Sequence, residues 1–434
     1  MIESTTELIC KLLSKTPKVR HDELIIAAQR ALLDYLGCLT NAQNITTVKQ
    51  LRENLMLSNG GTQILGTAQL TTPERAALLN GYTAHYLDYD DVQANFRGHP
   101  SVVIFSALFA LAQPQDCLIN LLWAYVQGVE LAGQFGKALQ PQHALSGWHS
   151  TGTIGTLAAA AAISVLKQLS LQQTARLLSI TASQSSGMLF QAGSDSKPLQ
   201  AGLAARNAVA AFQLMSAGLT ANTDPFNPIN GWSKTMSGVT LNKNDLKNTW
   251  LQPGQIVMPG LWYKQHQFCS AAMAGYDAAK QLWQQGVRLS DCEQVICHFP
   301  PDGDRVLNQR HPGTGQQGKF SIEYIVWQVL TFGDVDDTLF KPTPVAEDFR
   351  KQATKIKRQN DLPCAEKVFR PTVITAEQLK KKYVATVQAA KGTPNNPLTL
   401  KEIRTKFIYL DAERISNIIA QTQSAVGQLR YALQ

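Results

Sequence analysis

Charge is scarce in this chain: Asp, Glu, Lys and Arg make up 17% of its 434 residues, against 44% hydrophobic residues. That balance excludes a disordered protein, and the length is enough for more than one core. Cysteine supplies no framework. The seven cysteines, at 10, 38, 117, 269, 292, 297 and 364, are odd in number and never form a CxxC pair. They read as reduced thiols in a cytoplasmic protein, without a zinc ribbon or a disulfide scaffold. Long apolar runs are also missing. The longest, "IGTLAAAAAISVL" at 154–166, is too short and too rich in alanine to cross a bilayer, so no membrane partner is expected. The opening "MIESTTELICKLLSK" carries an early acid and no basic leader ahead of an apolar stretch, which does not fit a secretory signal.

Several motifs are absent as well. There is no HExxH, no EF-hand loop, no cysteine spacing for an iron–sulfur cluster and no glycine-rich phosphate loop after a strand, so neither a metal nor a cofactor is expected. A net charge of +8 raises the question of nucleic acid. The whole excess lies in residues 341–405, which hold 14 Lys and Arg against 6 Asp and Glu. No nucleic-acid fold signature accompanies it, and a solvated basic face explains it; the expected partner is a small anion, not nucleic acid.

What the chain does have is helix after helix. "DELIIAAQRALLDYLGCL" (22–39) and "PERAALLNGYTAHYLDYDD" (73–91) place apolar residues at helical spacing, the second with Pro73 where a helix start tolerates it. Further helices are predicted at 101–112, 117–138, 151–167, 171–184 and 198–217, many rich in the Ala, Gly and Ser that let helices pack closely. The pattern changes after about 258. "EQVICHF" (293–299) and "KKYVATVQAA" (381–390) read as strands, 321–333 and 345–357 as helices, "KGTPNNP" (391–397) as a turn, and 399–433 as helical again. The predicted fold is mostly α: an all-α domain over 1–258, a smaller inserted α+β domain over 259–394, and C-terminal helices over 395–434 that return to the first domain.

Four predicted helix starts carry the wrong charge. Helix N-termini favour acids, yet His99 precedes "PSVVIFSALFALA" and His149 precedes "STGTIGTLAAAAA", with Ser150 or Thr151 as cap. Lys197 precedes "PLQAGLAARNAVAAF", and His266, with Lys264 nearby, precedes "FCSAAMAGYDAAKQLW". Singly, each is more often a packing or solvated residue. Together, cations at helix N-termini form a site for a polycarboxylate. Asp88, Asp90 and Asp91, just ahead of His99, add capacity to orient or exchange protons with an imidazole, although solvated acids at a frayed helix end would look the same.

These stretches, in this order, resemble the MmgE/PrpD superfamily, which includes 2-methylcitrate dehydratase, cis-aconitate decarboxylase and iminodisuccinate epimerase. The resemblance runs along nearly the whole chain, through "ALLDYLGCL", "PERAALLNGYTAHYLDYDD" followed by "GHPS", "GWHSTGTIGTLAAAAA", "SQSSGMLFQAGSDSKPLQAGLAARNAVAAF", "KFSIEYIVWQVL" and "NPLTLKEIRTKF". It implies a helical domain with a lid, a homodimer, and catalysis without metal or organic cofactor. By motif, Asp88, His99, His149, Lys197 and His266 match positions lining the family's cleft, with Asp91, Ser150, Thr151, Lys264 and Gln200 as candidate substrate contacts. Some positions depart from the pattern. Gln200 stands where many relatives have histidine, Leu261 and Ser270 replace a common lysine and histidine, and no lid tyrosine is found in "FPPDGDRVL" (299–307). These departures weigh against cis-aconitate decarboxylase.

The expected reaction is therefore cofactor-independent loss of water from a hydroxy acid resembling 2-methylcitrate. Decarboxylation, epimerisation and carboxylate binding without catalysis remain as alternatives. His149 or His99 is expected as acid/base, Asp88 as the second acid/base or as an orienter, and Lys197 with His266 as a carboxylate clamp.

Overall fold

The computed structural model describes residues 3–15, 22–55, 60–365 and 370–434. Its larger core is helical. Pro100–Leu111 and Ile154–Leu166 lie at the centre, the first with every residue buried. Around them pack Asp22–Ala42, Pro73–His85, Leu118–Leu139 and Ser196–Ser216. Small residues let these helices approach closely. Pro73–His85 crosses Ser196–Ser216 at Gly81 and Gly202, where a Cβ on Gly81 would lie 2.8 Å from the Gly202 Cα. No larger residue fits at this crossing, which brings the C-terminal end of one helix beside the N-terminal end of the other.

The second core holds a four-stranded sheet in the order Ile356–Gln359, Cys292–His298, Thr372–Gln378, Lys381–Val387. The first pair is parallel and the others antiparallel. Helices Met273–Gln284 and Ile322–Phe332 pack in the same core. A two-residue ladder, Val92–Gln93 against Leu261–Trp262, joins the cores, and Val92 and Ala94 pack in the second one. From Leu398 onward the buried residues, including Ile403, Ile415 and Leu429, belong to the first core again. Among the described residues no helix is long and apolar enough to cross a membrane.

Three elements differ from expectation. The helix predicted to run to 91 ends at His85, because Asp88 takes a positive φ of 54° and the chain turns there. The helix predicted over 345–357 is confined to Glu347–Gln352, with Ile356–Gln359 recruited as an edge strand by parallel pairing to Cys292–His298. Thr372–Gln378, an unpredicted strand, sits inside the sheet with alternate side chains buried.

Candidate active site

The turn that stops helix Pro73–His85 also builds the site. His85, the last helical residue, is wholly buried, and its Nδ1 lies 2.8 and 3.0 Å from the two oxygens of Asp90. Asp90 Oδ2 is also 2.9 Å from Nδ1 of His99, which bonds the Asp91 carbonyl at 2.9 Å as well. One carboxylate thus holds two imidazoles, each donating Nδ1–H and turning Nε2 away. His99 is the residue before Pro100, and Thr151 Oγ1 accepts its backbone N–H at 3.1 Å. Burial drives the His85 pKa down to about 3 and lowers that of His99, so both rings are neutral near pH 7.

Asp88 is the second centre. Lys197 Nζ donates to its Oδ1 at 3.0 Å and to His85 Nε2 at 3.0 Å; Lys264 Nζ donates to the same Oδ1 at 2.8 Å and to the Asp88 carbonyl. Burial alone would raise the Asp88 pKa, but Lys197 and then Lys264 overcome it and hold the carboxyl well below its usual range. Asp88 therefore stays ionised. Its other oxygen, Oδ2, is buried and has no hydrogen-bond partner among the described residues. An unpaired buried carboxylate oxygen is costly, and it marks the place where a donor from outside would be accepted.

His149 faces the group from a third element. Gln200, inside helix Ser196–Ser216, places its Oε1 2.7 Å from His149 Nδ1 and gives its Nε2 to the Met188 carbonyl at 3.1 Å. The Met188 carbonyl can only accept, so it orients the amide, and the amide oxygen in turn requires Nδ1–H on His149. Nε2 is left with its lone pair. Burial, with Lys197 adding to it, lowers the His149 pKa to about 3. The ring is a neutral base with a fixed tautomer.

His85, Asp88, Asp90 and His99 offer ligand atoms within 4.8 Å of one another, a grouping that would also suit a cation. The Lys197 ammonium already stands there, 3.0 Å from both His85 Nε2 and Asp88 Oδ1, and both imidazoles are held through Nδ1–H. A divalent ion would have to displace the lysine, so the donor set fits an ammonium better than a metal.

Asp88, His99, His149 and Lys197 come together; His266 does not. Its Nε2 is 3.0 Å from the Tyr276 hydroxyl and 3.6 Å from Asp334, and its Nδ1 is 3.4 Å from Asp337. The chain between Lys264 and helix Met273–Gln284 turns the ring onto second-core partners, and no contact joins His266 to Lys197 among the described residues. The five candidate substrate contacts are all buried and engaged by neighbours. Asp91 takes Ser101 Oγ at 2.5 Å, and burial raises its pKa well above the usual range. Ser150 accepts from Gln140 at 2.9 Å, Thr151 holds the His99 N–H, Lys264 holds Asp88 and Gln200 holds His149. Neither Ser150 nor Thr151 caps a helix, since Ile154–Leu166 begins after Thr153 with no side-chain cap.

Two participants, His85 and Lys319, escaped the sequence reading. His85 was hidden as an interior helix residue, while Asp90 was read as one of three equivalent acids. Lys319, in the stretch "KFSIEY", comes from the second core and donates to the Leu87 carbonyl at 3.1 Å, just before Asp88. Burial lowers its pKa to about 8. Its neighbour Phe320 lies under Lys197, ring centroid to Nζ 5.3 Å. Behind the loop, Lys406 of the C-terminal segment pairs with Asp34 and donates to the Tyr89 carbonyl at 2.8 Å.

A family model described as the MmgE/PrpD N-terminal domain matches residues 10–244, and one described as the MmgE/PrpD C-terminal domain matches 266–428. Among curated proteins, the cis-aconitate decarboxylase of Mus musculus is 30% identical over 436 residues, covering 94% of this chain and 86% of that protein. The cis-aconitate decarboxylase of Homo sapiens is 29% identical over 233 residues, covering 51% of this chain and 48% of the relative. That of Aspergillus terreus is 28% identical over 170 residues, or 37% of this chain and 35% of the relative.

Proposed function

That this chain belongs to the MmgE/PrpD family is the premise from which we propose that it is a lyase of small di- or tricarboxylic acids, removing water from a hydroxy acid resembling 2-methylcitrate. The observation that carries the hydroxy-acid reading is the unpaired Oδ2 of Asp88. Asp88 is ionised and can only accept, so what it takes from the substrate must be a donor. A substrate hydroxyl meets that need. His149 Nε2 is the base that takes the proton next to the substrate carboxylate, and Lys197 supplies charge for the aci-carboxylate that develops. The departing hydroxyl leaves with a proton from Lys319, whose pKa of about 8 makes it a workable acid near neutrality. Asp88 itself orients and does not donate. The homodimer remains part of this proposal; light scattering returning a mass near 47.6 kDa would count against it.

A second reading is decarboxylation, favoured by the similarity of the chain to cis-aconitate decarboxylases. The same cations would then stabilise the charge left by departing carbon dioxide, and no hydroxyl would be needed. The test is incubation of the purified protein with 2-methylcitrate, citrate and cis-aconitate. A rise in the ultraviolet absorbance of a conjugated acid from a hydroxy acid supports dehydration. Carbon dioxide released from cis-aconitate in step with substrate loss supports the second reading. Turnover of none of these would sink both.

A further inference from the structure

A well-formed cavity lies apart from the imidazole cluster. It has a volume of about 690 Å³ and sits where the two cores meet, between the 249–262 segment, Asn95, helix Met273–Gln284 and the 388–395 turn. None of the residues of the His85–Asp88–His99–His149–Lys197 cluster lines it. The size is that of a site for a small organic molecule.

Its lining has a particular chemistry. Val257, Met258, Pro259, Trp262, Ala274 and Pro394 make much of the wall apolar, and among the described residues no Asp or Glu lines it. Two cations do: Lys137 and Arg370. Neither has an ion pair or a hydrogen bond among the described residues; Arg370 has only the face of Trp262, 5.7 Å from its ring centroid. Two of the wall amides, Gln255 and Asn95, are in contrast engaged. Gln255 Oε1 accepts from Gln93 at 3.2 Å and from Asn95 at 2.9 Å. A half-buried guanidinium with no counter-charge among the described residues, in a wall that holds a second cation, is an arrangement that desolvates positive charge for no internal return. Arg97 adds further positive charge close enough to depress the Arg370 pKa, after burial and against a nearby thiol.

We propose that this cavity is a second ligand site, taking a small organic anion whose carboxylate or phosphate head pairs with Arg370 and Lys137 while an apolar body lies on Trp262, Met258 and Ala274. A cationic ligand is excluded by the lining, and a bare inorganic anion would leave the apolar wall without a role. The site is separate from the proposed reaction and stands or falls independently of it.

The test is calorimetric titration with octanoate, with octanamide as its uncharged counterpart and with inorganic phosphate, alongside melting curves. Octanoate should bind the wild type and Lys197→Ala within about twofold of each other. Arg370→Gln should weaken it about 10- to 100-fold, the size of one lost charge-assisted contact, and octanamide should bind more weakly than octanoate by a similar factor. Lys137 is exposed, so Lys137→Gln tests the same point in a protein whose fold is not at risk; a loss of at least about threefold is expected. The proposal is overturned if octanoate does not bind, if octanamide matches it, or if both cation variants keep wild-type affinity. Binding abolished by Lys197→Ala would place octanoate in the catalytic cluster instead, and phosphate binding as tightly as octanoate would remove the organic body from the reading.

Discussion

Two buried charge assemblies sit on either side of the domain junction, and they differ in what they leave unpaired. In the second core, Arg358 gives Nε to Glu323 Oε1 at 2.6 Å, Nη2 to the other oxygen of Glu323, and Nη1 to Asp304 and to the Leu307 carbonyl. Ser321 adds a donor to Glu323, and Asn360 one to Asp304. Both oxygens of each acid are engaged. The first-core cluster is as buried: the Asp88 side chain is 6% exposed, like that of Asp304. Yet Asp88 Oδ2 has no partner among the described residues, and His149 Nε2 keeps a lone pair. Burial and charge alone therefore do not mark a site; a satisfied network rigidifies a core, whereas an unfinished one waits for a ligand.

Breaking each assembly should have opposite results. His149→Ala removes the base and should lower kcat/KM about 10²- to 10⁴-fold with the fold retained, as steady-state kinetics and melting curves would register. Arg358→Met leaves Glu323 and Asp304 as uncompensated buried charges and should cost about 3–5 kcal/mol of stability in chemical denaturation. The folded fraction should keep its kcat/KM within about twofold, because nothing in this network reaches the cluster. Full activity in His149→Ala, or an Arg358→Met protein that is stable but inactive, would erase the distinction drawn between the two.

His143 sharpens the comparison, because an idle atom by itself should not make a site. Its Nδ1 also lacks a partner, but its Nε2 is 3.1 Å from Thr153 Oγ1 and burial alone lowers its pKa from 6.5 to about 4. The unfolded chain binds this proton more readily than the folded one between about pH 4 and 6.5, so stability rises with pH across that window and falls on acidification. Near pH 5 the group should cost about 2 kcal/mol relative to pH 7. Comparing His143→Gln with wild type at both pH values should recover that difference, with kcat/KM at pH 7 changed less than about threefold. A pH-independent stability gap would refute the assignment.

How much of this was legible in the sequence depends on which physical signal each feature leaves. The helices of the first core were readable because apolar spacing and Ala- and Gly-rich faces are local properties. The strand Ile356–Gln359 was not, since its pairing with Cys292–His298 is a distant event that overrode a helical pattern. Cations at helix starts pointed to His99, His149 and Lys197, which the fold does gather. The same rule also picked out His266, whose ring packs on Tyr276, Asp334 and Asp337, because a side chain's direction is set by tertiary packing and not by its position ahead of a helix. For Gln200, Lys264, Thr151 and Asp91 proximity to the cluster was legible, while the direction of each side chain was not. Each is turned onto a neighbouring residue. His85 and Asp90 needed the left-handed turn at Asp88 to meet, and nothing in a helical period announces that turn.

The smallest effect should come from Gln200, which bounds how far the unfinished cluster extends. Gln200 touches His149 and not the space beyond it, so it is a positioning residue: its oxygen keeps the proton on Nδ1 and the lone pair on Nε2. Gln200→Ala leaves both tautomers open and the ring free to turn, and should lower kcat/KM about 10-fold with little change in KM. A merely structural role would give the same loss, so the deciding readout is a pH profile. In the wild type His149 is unprotonated down to about pH 3, and kcat/KM should show no limb from this group in the accessible range. Gln200→Glu puts a carboxylate against Nδ1, which favours the imidazolium and raises the pKa. The base must be neutral to act, so kcat/KM should now fall on acidification beginning at least about one pH unit higher. If Gln200→Glu has a profile superimposable on the wild type while Gln200→Ala is impaired, His149 is not the base, and the unfinished cluster has its working group elsewhere.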